Sequence, residues 1–425
     1  MNQSTRTETK TEHADDFAGQ DWGSWKQYEA ADLGYRNFWY PVYWAHQIGK
    51  KPVPITVLGE TVALVRDGED IHALHDRCPH RGVPLSLGRR QYEGTISCPY
   101  HGWTYRLDSG NLCGVLTDGP DSPIVGKLSV RTYPVEQRLG LVWVYVGDTF
   151  EGADVPPVER DIPAELIGNR FAMGGRTDIR DGNWRFAAEN GFDEGHAKYL
   201  HNTALWRLFK VMPAWNKTRV VPGEEGWTIR VQDEVHWDAE MPGLGLWTNR
   251  RWWKRMPLPD APGKGKKVNP VIAALDLPGF VSIRMPGLLR VAYPEFIHYE
   301  WYVPVDADHV RYVQLMVRFE TGWRGALFKM KYLGYIRWLF HGQFTAQDAW
   351  MVDVMDAPPE RLYRPDVSIT AWRKMCEQAD LVVQRLAPRS DPNPSKPDTA
   401  PTPAVQLPPT AGEVRRRRIR SAEQS

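Results

Sequence analysis

Residues 78–103 read CPHRGVPLSLGRRQYEGTISCPYHGW. A Cys-x-His pair, Cys78 and His80, is followed after 17 residues by a Cys-x-x-His pair, Cys98 and His101. Thiolates and imidazoles suit soft and borderline metals, so the stretch admits a zinc site or an iron–sulfur site. Cys₂His₂ is a common structural zinc set. Zinc fingers, however, usually pair Cys with Cys and His with His along the chain, whereas here each loop supplies one of each. That arrangement suits a two-iron cluster with unlike ends, cysteines on one iron and histidines on the other.

The flanking sequence is β in character. ITVLGETVALVRDGEDIHALHDRC (55–78) alternates apolar and polar residues and is punctuated by Gly59-Glu60 and Asp67-Gly68, a hairpin signature. GTISCPY, WTYRLDSGNLCG and GLVWVYVG add short strands, with Asp108-Ser109-Gly110 as a further turn. Residues 35–150 therefore read as a small all-β domain. Residues 1–34 are polar and read as a flexible lead-in, and 151–170 read as a linker. Residues 171–387 mix strands (GFVSIRM, LLRVAYP, IHYEWYVPV, VRYVQLMVRF) with helical stretches at 190–201, 325–355 and 368–386, so the whole is α+β. From 388 to 425 the chain is Pro-rich and ends in RRRRIR (415–420), a composition expected to be disordered.

The chain has 425 residues, a formal net charge of +1 and 42% hydrophobic residues. It has enough apolar content for a sizeable core and no global field that favours nucleic acid. Four cysteines (Cys78, Cys98, Cys113, Cys376) are too few for a disulfide scaffold and point to reduced thiols and a cytoplasmic setting. The N-terminus shows no signal-peptide pattern, and no apolar run is long enough to span a membrane.

CPH(17)CPYHGW resembles the Rieske [2Fe–2S] signature of ring-hydroxylating oxygenases. The resemblance implies that Cys78 and Cys98 hold one iron and His80 and His101 the other. Respiratory Rieske carriers have two extra cysteines beside the ligands. Arg81, Pro99 and Tyr100 stand here instead, which favours the oxygenase type over a pure electron carrier.

A second stretch, ENGFDEGHAKYLH (189–201), is weak evidence taken alone. On a regular helix Asp193 and His196 share a face, but His196 and His201, five apart, point about 140° apart. A π-bulge, or His201 lying at the helix end, would let them converge. The stretch is similar to the Asn-x-x-Asp-x-x-His-x(4)-His segment of the same oxygenases, through Asn190, Asp193, His196 and His201. The resemblance implies that both histidines bind a mononuclear Fe(II). The third ligand is then a carboxylate in QDAWMVDVMD: Asp348, with Asp353 and Asp356 as ordinary helix carboxylates. It also implies that Asp193 bridges His196 to His101 of a neighbouring subunit, so that electrons cross a subunit boundary.

The resemblance covers about residues 35–385 and is nearest to the homotrimeric, carbazole-dioxygenase-like class, through GYRNFWYPVYWA, DRCPHRGV, YHGWTYR, GNLCGVLT and NWRFAAENGFD. Members of that class space the two histidines four apart, so the substrate is not transferred with the family. The implied fold is an N-terminal all-β Rieske domain joined to a helix-grip-like antiparallel sheet with helices. The implied function is a terminal oxygenase that adds oxygen from dioxygen to an aromatic, polycyclic or heteroaromatic substrate, with O- or N-dealkylation as the alternative. No dinucleotide-binding fingerprint and no plant-type ferredoxin cysteine run occur, so electrons would come from a separate ferredoxin or NAD(P)H-dependent reductase. Phe186, Phe192, Leu200, Leu205, Leu288 and Phe344 are candidate pocket walls, though such residues are more often plain core. WTNRRWWKR (247–255) could attract an anionic aromatic or an acidic ferredoxin, though a surface loop or subunit contact is the stronger reading.

Overall fold

The computed structural model describes residues 25–147, 155–193, 195–203, 215–236, 240–241, 246–247, 275, 277, 281–293, 295–355, 360, 362–363 and 365–378. Leu205, Asp356, WTNRRWWKR beyond Trp247 and the tail from 388 lie outside these residues.

The N-terminal lobe carries three small antiparallel sheets. Strands Val53–Val57, Glu60–Asp67, Asp70–His75 and Thr132–Tyr133 form one, and Thr95–Ser97, Trp103–Arg106 and Leu112–Val115 a second. The third is Phe38–Trp44, Leu141–Val146 and Val135–Arg138. The first hairpin turns on Leu58 and Gly59, both at positive φ (51° and 74°), with Val57 opposite Glu60. A two-residue loop with both residues left-handed matches the twist of the flanking strands. Leu58 accepts that uncommon backbone while fully buried, and the Leu58 and Gly59 N–H groups donate to Pro304 and Val305 carbonyls of the second lobe.

That lobe is built on a seven-stranded antiparallel sheet. Its order is Ala172–Asp181, His309–Arg318, Ile297–Pro304, Leu288–Ala292, Val281–Arg284, Thr228–His236 and Trp215–Pro222. Among the described residues five α-helices accompany the sheets: α1 (Lys26–Ala30), α2 (Trp184–Phe192), α3 (Gly322–Lys331), α4 (Thr345–Val354) and α5 (Val367–Gln378). Two π-helical segments, Tyr332–Ile336 and Trp338–Phe344, join α3 to α4 in one continuous helical run.

The two lobes share a core. Trp143 of the N-terminal lobe meets Trp301 of the large sheet edge-on, 5.6 Å between ring centres, a pairing worth about 0.5–1.5 kcal/mol beyond burial. Residues 155–170, expected as a linker, bury Val158, Ile162 and Leu166 in this core, and the Trp39 N–H donates to Asp161. The lead-in expected to be flexible through residue 34 is ordered from Trp25. Tyr28 is fully buried, its N–H donates to Glu377 of α5, and its carbonyl accepts from Arg185 of α2. Aromatic anchors inside a polar segment, with charged partners for the backbone, explain why composition alone misread it.

Helix α2 leads into the turn that carries Asp193 and His196. Asn183 caps it, accepting the Arg185 N–H at 3.1 Å, and Trp184, Ala187, Ala188 and Phe192 form its buried face. Arg373 of α5 grips Glu189 of α2 at 2.6 and 3.1 Å, both buried. This fixes α2 against α5 as well as against the sheet.

Candidate metal centres

The expected helix over 190–201 ends instead at Phe192. Asp193 takes extended backbone (ψ 143°), and its carboxylate caps the turn that follows: Oδ1 accepts the Gly195 N–H at 3.0 Å and Oδ2 the His196 N–H at 2.9 Å. His196 then lies on one 3₁₀ turn (His196–Lys198) and His201 on the next (Leu200–Thr203). The five-residue spacing that would separate them on an α-helix is absorbed by this break, and the rings come to 5.4 Å. The π geometry expected near the histidines occurs on the opposite wall, in the run leading to Asp348.

His196, His201 and Asp348 meet, each offering a ligand atom, and these atoms all lie within 4.8 Å of one another. Asp348 Oδ1 is 3.1 Å from His201 Nε2 and 3.4 Å from His196 Nε2. The other ring nitrogens are tied down. His196 Nδ1 is 3.0 Å from Asp193 Oδ2, and His201 Nδ1 is 2.9 Å from Gln347 Oε1. Each imidazole therefore presents Nε2 to a common point, the tautomer that a metal requires. Asp353, on the same helix as Asp348, lies outside this group.

The electrostatics favour a cation there. Burial opposes charge on His196, but Asp193 and Asp348 at its two nitrogens raise its pKa to about 9. Burial also opposes ionisation of Asp193, yet the His196 imidazole and the N–H groups it caps lower its pKa to about 2. The Asp348 carboxyl is held below the usual range against the same penalty by the two imidazoles. In the metal-free site a proton on His196 supplies the positive charge that two carboxylates demand. Two imidazoles and one carboxylate with open positions are the donor set of non-heme iron, and the residues fit that ion.

Around the group the walls are aromatic. Phe344 stacks on His201 at 3.7 Å, and Phe340 links Phe344 to Tyr293, Phe296 and His298. Of the candidate pocket walls, Phe344 contacts a metal-site ring in this way, whereas Phe192 and Leu288 are ordinary core. Three residues escaped the sequence reading. Gln347 holds His201, while His298 and Glu300 are buried on the strand Ile297–Pro304. Polar residues two apart in an otherwise apolar strand, HYE within IHYEWYVP, were the available signal. Burial lowers the His298 pKa to about 4, and burial followed by Asp348 raises that of Glu300 to about 8. The Glu300 carboxyl accepts from Gln314 at 2.6 Å and from Tyr302 at 3.2 Å.

The first constellation lies on two matched loops of the N-terminal lobe. In each, the N–H of a left-handed glycine returns to the cysteine carbonyl: Gly82 (φ 73°) to Cys78 at 2.8 Å, Gly102 (φ 66°) to Cys98 at 3.1 Å. A side chain at position 102 would place Cβ 2.8 Å from Leu116 as well as straining the backbone. Cys78 and Cys98 are buried, whereas His80 is exposed and His101 half-buried. Their rings are 4.6 Å apart, and Trp103 stacks flat on His80 at 4.5 Å. Tyr105 OH lies 3.3 Å from Cys78 Sγ. Thiols inside and imidazoles at the rim fit a two-iron cluster with a histidine end turned outward.

Comparison with known proteins agrees with both halves. Residues 38–134 match the Rieske [2Fe–2S] domain, and residues 145–384 match the homotrimeric ring hydroxylase domain. The terminal oxygenase component of carbazole 1,9a-dioxygenase from Sphingomonas sp. is 34% identical over 85% of this chain and 96% of its own length. That from Metapseudomonas resinovorans is 31% identical over 85% and 95%. Among solved structures, the Novosphingobium sp. KA1 terminal oxygenase of carbazole 1,9a-dioxygenase superposes with a TM-score of 0.69 at 29% identity, covering 84% of this chain and 96% of that one. A reduced complex between oxygenase and ferredoxin in carbazole 1,9a-dioxygenase gives 0.68 at 28%, covering 84% and 92%. The chain belongs to the homotrimeric ring hydroxylases and is a Rieske-type non-heme iron oxygenase, an oxidoreductase that joins a [2Fe–2S] domain to an iron-dependent ring-hydroxylase domain.

Proposed function

We propose that the chain is a terminal oxygenase acting on an aromatic, polycyclic or heteroaromatic substrate, with His196, His201 and Asp348 as the mononuclear-iron ligands. The convergence of these three groups, with both Nδ1 atoms already engaged, carries the reading. The cluster domain is taken as 35–150 and the catalytic domain as 171–387. Cys78 and Cys98 hold one iron of the cluster, His80 and His101 the other. When bound, the mononuclear iron supplies the redox chemistry that activates dioxygen.

The chain's own residues do the rest. Asp193 and Gln347 orient the imidazoles, and Phe340 and Phe344 form a water-poor aromatic wall suited to a flat apolar ring. Asp193, about 18% exposed, keeps an edge available to His101 of a neighbouring subunit in the trimer. Such a bridge would give the two centres a short path between chains. Its electrons come from a ferredoxin, fed by an NAD(P)H-dependent reductase; ferredoxin complexes of similar oxygenases support this. Four cysteines, all free and buried, accord with a reducing, cytoplasmic setting. Carbazole is a reference compound for the substrate screen rather than an assignment, because the histidines are spaced differently.

The test is coupled oxygen uptake with a surrogate ferredoxin and reductase across aromatic acids, polycyclic hydrocarbons and heteroaromatics. Asp193→Ala, reconstituted with excess Fe(II) so that both metal centres are filled, should still lose turnover at least about 100-fold. Full turnover in that variant would refute the bridge.

A further inference from the structure

The helical run from Gly322 to Val354 buries Gly325, Phe328, Tyr332 and Ile336. Its opposite face is apolar as well. Trp323, Met330, Leu333 and Trp338 are 73%, 64%, 67% and 52% exposed, with Leu327 and Tyr335 beside them. Isolated exposed apolar side chains need no explanation, but a continuous row of them marks a docking surface. Charge identifies the occupant. From Gly322 to Gln347 the sequence holds no Asp or Glu, yet it holds Arg324, Lys329, Lys331 and Arg337, in a chain whose overall charge is +1. Arg324 reaches Glu320 at 3.6 Å; among the described residues no carboxylate pairs with Lys329, Lys331 or Arg337.

We propose that this face is a peripheral membrane-binding surface that lies on anionic phospholipid, with Trp323 and Trp338 at the two ends of the exposed apolar stripe and the basic side chains against the headgroups. An apolar and aromatic stripe flanked by Lys and Arg is the pattern of helices that lie in the interfacial plane. Each basic group near an anionic surface adds attraction that salt screens. A two-fold contact between copies of this face would bring the same cations together, and a head-to-tail contact between copies is an outcome of the test below. No helix among the described residues is long and apolar enough to cross a membrane, so attachment is peripheral. The run continues into α4, which carries Asp348, so binding sets that helix close to the phase in which apolar aromatic compounds collect. This last link rests on the proposed substrate class; the lipid binding itself does not.

The experiment uses the intact oligomer and vesicles of phosphatidylcholine with or without about one-third phosphatidylglycerol, read by co-sedimentation at low and high salt. Binding should be at least about tenfold stronger to the anionic vesicles and weaken with salt. Met330→Glu with Leu333→Glu should reduce it at least about tenfold with subunit mass and iron content unchanged, and Lys329→Glu with Arg337→Glu should abolish the anionic preference. Absence of vesicle binding would overturn the proposal. So would a fall in subunit mass in the Met330→Glu, Leu333→Glu variant, which would assign the face to a contact between copies. Turnover of a water-soluble substrate should be unaltered, so failed lipid binding and failed oxygenase activity are separately visible.

Discussion

Asp193 uses one carboxylate for two tasks: it caps the turn after α2 through Gly195 and His196 N–H, and it receives His196 Nδ1. The first task breaks the helix, and the break lets His196 and His201 face one point. Gln347 does for His201 what Asp193 does for His196, but as a neutral acceptor next in sequence to Asp348, the proposed third ligand. Partners of metal-bound imidazoles typically matter 10–100-fold in metal affinity. Gln347→Leu should therefore weaken retention of the mononuclear iron about tenfold or more while leaving the Rieske spectrum intact. Titration of metal-free protein with Fe(II), followed by quantitation of retained iron, measures this. Unchanged retention would mean that the His201 ring is held without Gln347, through contacts such as the Phe344 stacking.

At the scale of elements, the strand Ile297–Pro304 matters as much as the helices. It is buried along its whole length, yet it carries Glu300 with no described ion pair to a cation. Burial, reinforced by Asp348, raises the Glu300 pKa to about 8, against about 4.3 in an unfolded chain. Between those values the folded metal-free protein binds a proton that the unfolded chain does not. Its stability must then fall as pH rises through that window. The loss approaches about 5 kcal/mol by pH 8, an order-of-magnitude figure. Glu300→Gln removes this dependence. Denaturant unfolding of the metal-free wild type and variant at pH 5 and pH 8.5 should show a steeper decline for the wild type. Parallel declines would show that Glu300 is ionised throughout. The four strands around and beside this position, 281–284, 288–292, 297–304 and 309–318, were legible as apolar runs bounded by turns. Ala172–Asp181 was not. AMGGRTDIRD has two glycines and four charges, and it is a strand because it pairs over its full length with His309–Arg318. Tertiary pairing overrides propensity there.

For the molecule as a whole, the residues proposed for both centres came from the sequence, but the geometry that joins them did not. Cys78, His80, Cys98 and His101 stand out as candidates because each pair lies within one short loop. His196, His201 and Asp348 stand out only through family likeness, since the helix break at Asp193 and the π-helical run before Asp348 follow from long-range packing. The shared core was hidden for the same reason: Trp143 and Trp301 are 158 positions apart in sequence and only 5.6 Å apart in the fold. A common core means that the two lobes should unfold together rather than as independent domains. The central claim is that one chain holds two different iron centres. Iron and acid-labile sulfide per chain, measured on anaerobically purified protein beside Asp348→Ala, test it most directly. The account predicts about three irons and two sulfides in the wild type. The variant should fall to about two irons, with sulfide and the Rieske spectrum unchanged. Two irons in both proteins, or loss of the cluster together with the third iron, would contradict it.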